Sequence, residues 1–75
     1  MIVIESTFDR YYDEIVSRLR GMSRSIRSIE PDGSEFRVKL TNRGRIKDFI
    51  RTCNENNVKY SQSRDIPTEF TVWID

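Results

Sequence analysis

Residues 36–51 read FRVKLTNRGRIKDFIR, and the spacing of their apolar residues changes partway along. Phe36, Val38 and Leu40 alternate with Arg37 and Lys39, the two-residue period of a strand with one buried face. Ile46, Phe49, Ile50 and Cys53 then fall at i, i+3, i+4 and i+7, which is one face of a helix. The stretch therefore predicts a strand that turns directly into a helix. The link between them, Thr41-Asn42-Arg43-Gly44-Arg45, carries a second signal. A helix N-terminus bears a partial positive charge and favours acidic neighbours. This one has Arg43, Arg45 and Lys47, with Asp48 as the only nearby acid. Each misplaced cation costs about a few tenths of a kcal/mol unless an anion neutralises it. Local rules are broken more often at functional sites than elsewhere, so the sequence marks this link as a candidate anion-binding point.

The chain around it is 75 residues long, enough for one small domain with a thin core. Apolar residues make up 36% and charged residues 33%; the clear periodicities argue for a folded chain in spite of that polarity. A single cysteine, Cys53, excludes an internal disulfide. Its place on the apolar face of the helix makes it a small core residue. There is no histidine, which removes His-based acid–base catalysis and the Ser-His and Cys-His nucleophilic pairs. Clustered metal ligands are missing as well, so neither a metal site nor a cofactor is expected. No apolar run approaches the ~18 residues of a membrane span, and no apolar h-region follows Met1. The expectation is a soluble, cytoplasmic protein with no membrane partner.

The net charge of +1 hides a dipolar layout. Residues 1–14 hold four acids against Arg10, net −3. Residues 15–53 hold ten basic groups against Glu30, Asp32, Glu35 and Asp48, net +6. Residues 54–75 hold Lys59 and Arg64 against four acids, net −2. A basic middle between acidic ends fits a localised anionic partner. Arginine outnumbers lysine ten to three, and guanidinium forks suit phosphates and carboxylates.

Outward from the central stretch, the other elements follow. Met1 to Glu5, MIVIE, has no polar face and reads as a central strand covered on both sides. Ser6 then caps a helix whose stripe is Phe8, Tyr12, Ile15, Val16 and Leu19, with a Glu14–Arg18 pair and Gly21 as its end signal. Ile26 and Ile29 are out of phase for a regular strand, which requires a bulge. Glu30-Pro31-Asp32-Gly33-Ser34 is a hairpin signal, pairing residues from about 25–30 with about 35–41. The second helix runs from about Arg43 to Asn56, where Asn56 or Asn57 supplies a left-handed end. Val58 to Gln62 alternates as a strand, Pro67 interrupts, and Glu69 to Asp75 forms the last strand, with Phe70, Val72 and Ile74 on one face and Thr71 and Trp73 on the other.

The predicted fold is a two-layer α+β sandwich, an antiparallel sheet with two helices on one face. Its element order is β-α-β-β-α-β plus one strand. That order resembles the ferredoxin-like arrangement, which RNA-recognition domains also use. The resemblance rests on element order alone. The strand SEFRVKLT at 34–41 has only Phe36 where those domains carry an aromatic motif, and order alone does not carry function.

If the helices cover Phe36, Val38 and Leu40, the opposite face presents Arg37 and Lys39, with Trp73 as a ring on which a base could stack. Arg43, Arg45 and Lys47 would extend this basic surface, supported by Arg24 and Arg27. The bland reading of the same residues is a solvated sheet face. The pattern favours a non-enzymatic regulatory protein that binds RNA or single-stranded nucleic acid. The alternative is an inhibitor, antitoxin-like or adaptor protein docking on an acidic protein surface, since Arg, Trp and Tyr are also the usual protein-interface anchors. A homodimer would compensate for the thin core. No carboxylate pair has catalytic spacing: Asp13 and Glu14 are adjacent on a helix, and Glu30 and Asp32 flank a turn.

Overall fold

The computed structural model describes residues 3–74, with side chains from residue 11 onward. The described chain comprises α1 (Val3–Arg18), a 3-10 turn (Arg20–Met22), β1 (Ile26–Asp32), β2 (Glu35–Leu40), a second 3-10 turn (Arg43–Arg45), α2 (Ile46–Glu55), β3 (Lys59–Gln62) and β4 (Glu69–Trp73). The four strands form one antiparallel sheet in the order β1-β2-β4-β3. Both helices lie on the same face of it. Ile15 and Leu19 of α1 and Phe49 and Cys53 of α2 share one core with Phe36, Val38 and Leu40 of β2 and Phe70 and Val72 of β4. This is the small two-layer α+β class expected; the ferredoxin-like order is not required by it.

The first segment differs from its expectation. Val3, Ile4 and Glu5 are helical, and α1 runs through Ser6 instead of starting there. Met1 and Ile2, the rest of the expected strand, lie outside the described residues. The sheet explains the difference. It has one covered face and one open face, so an apolar run with no polar side would gain cover on one side only. Its central positions are also occupied: β2 pairs with β1 and β4, and β4 pairs with β2 and β3. Val and Ile lose only about a few tenths of a kcal/mol in a helix relative to better helix formers. At its other end α1 stops at Arg18, and Gly21 falls inside the following 3-10 turn without a positive φ. That turn carries Met22 into the core, where it is 6% exposed.

The bulge forms where the sequence asks for it; the hairpin turn is tighter than read, because Pro31 and Asp32 of the expected turn extend β1 instead. Asp32 pairs with Glu35 across the two-residue loop Gly33-Ser34. Gly33 has φ +67, the first-position requirement of a type II′ turn. The β1–β2 register shifts between Ile26 and Ser28, so Arg27 is the extra residue and both isoleucines still pack against the core.

α2 buries Phe49 and Cys53 completely and packs Ile46 and Ile50 partly. The Phe49 and Phe70 rings meet at 4.7 Å between centroids, and Tyr60 approaches Phe70 at 6.1 Å. Asn57 ends the helix at φ +59, and the Val58 N–H donates to the Cys53 carbonyl at 2.9 Å, the long bond of a Schellman motif. Arg18 completes this end from outside. Its Nη1 donates to the carbonyls of Asn56 (3.1 Å) and Asn57 (3.2 Å), while its Nε donates to Glu14 Oε2 (2.9 Å). A cation on the negative end of a helix is favourable. It joins the two helices at a point the sequence shows only as a local Glu14–Arg18 pair.

The two functions of Arg18 separate by mutation. Arg18→Ala loses the cap and the pair together, and we expect a cost of about 1–2 kcal/mol. Glu14→Gln removes only a half-exposed ion pair and should cost under about 1 kcal/mol. Urea denaturation followed by circular dichroism measures both; equal losses would mean that the carbonyl contacts contribute nothing.

Candidate functional site

The antiparallel register fixes which residues share the open face of the sheet. Arg37 lies between Glu30 of β1 and Thr71 of β4, and Thr71 pairs onward with Ser61 of β3. Lys39 lies between Ser28 and Glu69. Asp32 pairs with Glu35, and Trp73 with Lys59. The open face thus interleaves Arg37, Lys39 and Lys59 with Glu30, Asp32, Glu35 and Glu69. Arg37 is tied to one of these acids, its Nη2 donating to Asp32 Oδ2 at 3.0 Å. Among the sequence-predicted cations it is therefore the one already compensated on the sheet.

The remaining cations gather at one end of the molecule instead of on one face. At this end β1 begins, β2 finishes and β4 begins. The Thr41 N–H donates to the Ser25 carbonyl at 2.9 Å and the Leu40 N–H to the Thr68 carbonyl at 2.9 Å. Arg24 and Arg27 flank Ser25 and Ile26, Lys39 precedes Leu40, and Arg43, Arg45 and Lys47 follow directly. Arg24, Arg27, Arg43, Arg45 and Lys47 are all exposed. Among the described residues, no carboxylate lies in salt-bridge range of Arg24, Arg27, Lys39, Arg43 or Lys47.

The start of the second helix is built differently from its sequence outline. Asn42, in extended conformation, accepts from the Gly44 N–H at 2.9 Å and caps the 3-10 turn that precedes α2. A Cβ on Gly44 would lie 3.1 Å from that capping oxygen and would press on the cap. Asp48, in the first turn of α2, accepts from Arg51 at 2.8 Å and lies 3.8 Å from Arg45. One carboxylate thus serves two guanidiniums, and Arg43 and Lys47 remain uncompensated beside it.

Trp73 stands apart from this basic end. β4 begins beside Leu40 and runs away from it, so Trp73 lies at the opposite end of the sheet. There it lines a cavity with Tyr11 and Phe36. The structure therefore does not combine Trp73 with Arg24, Arg27, Arg43 or Lys47 in one site. Sequence alternation places Trp73 on the correct face, but its distance from the cations depends on which end of β4 meets β2.

Cys53 is fully buried, and burial pushes its thiol up to about 12. It behaves as a core residue, and its thiolate is absent at neutral pH. Among the described residues no group of three or more His, Cys, Asp or Glu side chains is arranged to hold a metal ion, and no helix is long and apolar enough to cross a membrane.

With this geometry in hand, comparison with protein-family models finds no match, and searches of curated proteins and of solved structures find none either.

Cys53 gives a direct check on the burial described here. At pH 8 the native protein should resist an aromatic disulfide reagent, and labelling should follow the unfolding curve in urea. Because the raised pKa disfavours the thiolate in the folded state, stability should also fall as pH rises above about 9 towards 12. Rapid labelling under native conditions would contradict the burial.

Proposed function

We propose that this protein is a small non-enzymatic binding protein that holds RNA or another single-stranded nucleic acid at the basic end of its sheet. One observation carries the reading: Arg24 and Arg27 from one segment and Lys39, Arg43 and Lys47 from another converge on one end, and have no carboxylate within salt-bridge range among the described residues. Cations assembled from distant parts of a chain repel one another, and a polyanion removes that cost. Phosphates take guanidinium forks in bidentate contacts. Because the Trp73 ring lies at the far end of the sheet, base stacking is not part of this reading. It therefore predicts backbone recognition with little sequence preference.

A second reading has its own support. The open face alternates acids and bases, a pattern better suited to a protein surface than to a phosphate backbone. β1 and β3 are edge strands that could accept a strand from an acidic protein partner or from a second copy. A pull-down repeated after nuclease treatment distinguishes the two: a protein partner retained in full favours this second reading.

Fluorescence anisotropy with a labelled single-stranded RNA tests the main proposal. Affinity should fall with salt, log K against log salt having a slope of about −3 for about four to five phosphate contacts. Arg43→Glu/Lys47→Glu should weaken binding more than tenfold. It should leave thermal stability unchanged or slightly raised, because acids in a first helical turn suit the dipole. Arg37→Glu, at a cation already paired with Asp32, should change affinity by less than about threefold. Absence of RNA binding at low salt, or full binding by the double variant, overturns the nucleic-acid reading.

A further inference from the structure

The end of the sheet opposite the basic cluster carries its own recognition chemistry. Where β2 begins and β4 finishes, a cavity of about 270 Å³ opens beside α1. Its lining includes three aromatic residues, Tyr11, Phe36 and Trp73, together with Ile15, Ile74 and the carboxylate-bearing Glu35. That volume lies just below the range of about 300–1,000 Å³ for drug-sized ligands, and it has room for one long side chain. Glu35 is half-buried and, among the described residues, has no ion pair or hydrogen bond from its side chain. Its cross-strand neighbour is another acid, Asp32, and Asp32 is already held by Arg37. The nearest cation in register on that row is Lys59, beyond Trp73 on β3.

From this arrangement we propose that the cavity is a recognition site for an arginine side chain presented by a partner protein. Aromatic faces attract cations through their ring quadrupoles, and tryptophan does so best. A guanidinium is planar and weakly hydrated, so it stacks on such rings more readily than an ammonium. Ile74, only partly buried, offers apolar surface for the methylene stem. Glu35 then supplies the opposite charge that the guanidinium needs once it leaves water. Glu35, whose charge is not answered among the described residues, would also favour a basic segment over an acidic one at this cavity. The proposal is independent of the nucleic-acid reading, since it uses neither the same residues nor the same end of the sheet.

Trp73 is the only tryptophan, so its fluorescence reports on the cavity directly. The full chain is titrated at low ionic strength with Nα-acetyl-arginine amide and, separately, with the neutral citrulline analogue, following Trp73 emission and backbone amide shifts by NMR. The arginine probe should give a saturable change centred on Glu35, Phe36 and Trp73, and the citrulline analogue none. Glu35→Gln should weaken binding about tenfold with an unchanged thermal midpoint. Tyr11→Ala, at a side chain 53% exposed and so dispensable for folding, should weaken it several-fold. An equal response to citrulline, wild-type binding by Glu35→Gln, or no saturable shift up to the solubility limit of the arginine probe overturns the proposal.

Discussion

Phe70 and Val72 lie in the middle of the core because Glu69–Trp73 pairs on both of its edges. On one side Phe36 and Val38 stand opposite Val72 and Phe70; on the other Tyr60 stands opposite Val72. The Phe49 ring of α2 closes over Phe70. Without β4, the β1–β2 hairpin and β3 have no pairing in common, and a lone hairpin is marginal in water. The last strand therefore holds together elements that are contiguous in neither sequence nor sheet order. For a chain this short, with a core this thin, that single insertion decides whether the fold exists.

The same insertion sorts the charges. Because β4 runs antiparallel to β2, its start lies beside Leu40 and its finish beside Phe36. The basic link after β2 and the arginines before and within β1 are thus collected at one end, and Trp73, Tyr11 and Glu35 at the other. The reversed charge at the start of the second helix belongs to this layout. Asn42 satisfies a backbone donor there, and Asp48 answers two guanidiniums. Exposed pairs of this kind contribute only about 0–1 kcal/mol each, so they moderate the positive field without cancelling it.

Much of this was legible in the sequence because it is local. The hairpin followed from Gly33, although Pro31 and Asp32, read as turn residues, continue β1; the bulge followed from the spacing of Ile26 and Ile29. The buried face of α2 and the burial of Cys53 followed from helical period. What was not legible is long-range. MIVIE has the composition of a strand, but whether a strand forms depends on a free place in the sheet, and β4 takes the central one. Arg37 reads as a free cation until register places Asp32 within its reach. Arg18 reads as half of a helical pair until α2 brings its carbonyls alongside. In the candidate site, alternation gave each residue its face, and strand direction alone decided which residues share an end.

Native-state amide hydrogen exchange tests the central place of β4 most directly. If this strand is inserted as described, the amides of Phe70, Thr71 and Val72 should exchange only through global unfolding, as slowly as Val38. The outward-facing amides of edge strands β1 and β3 should exchange faster. Fast exchange across Phe70–Val72, or strand-like protection over Val3–Glu5 with slow exchange on both sides, would contradict the architecture and with it the assembly of both ends of the molecule.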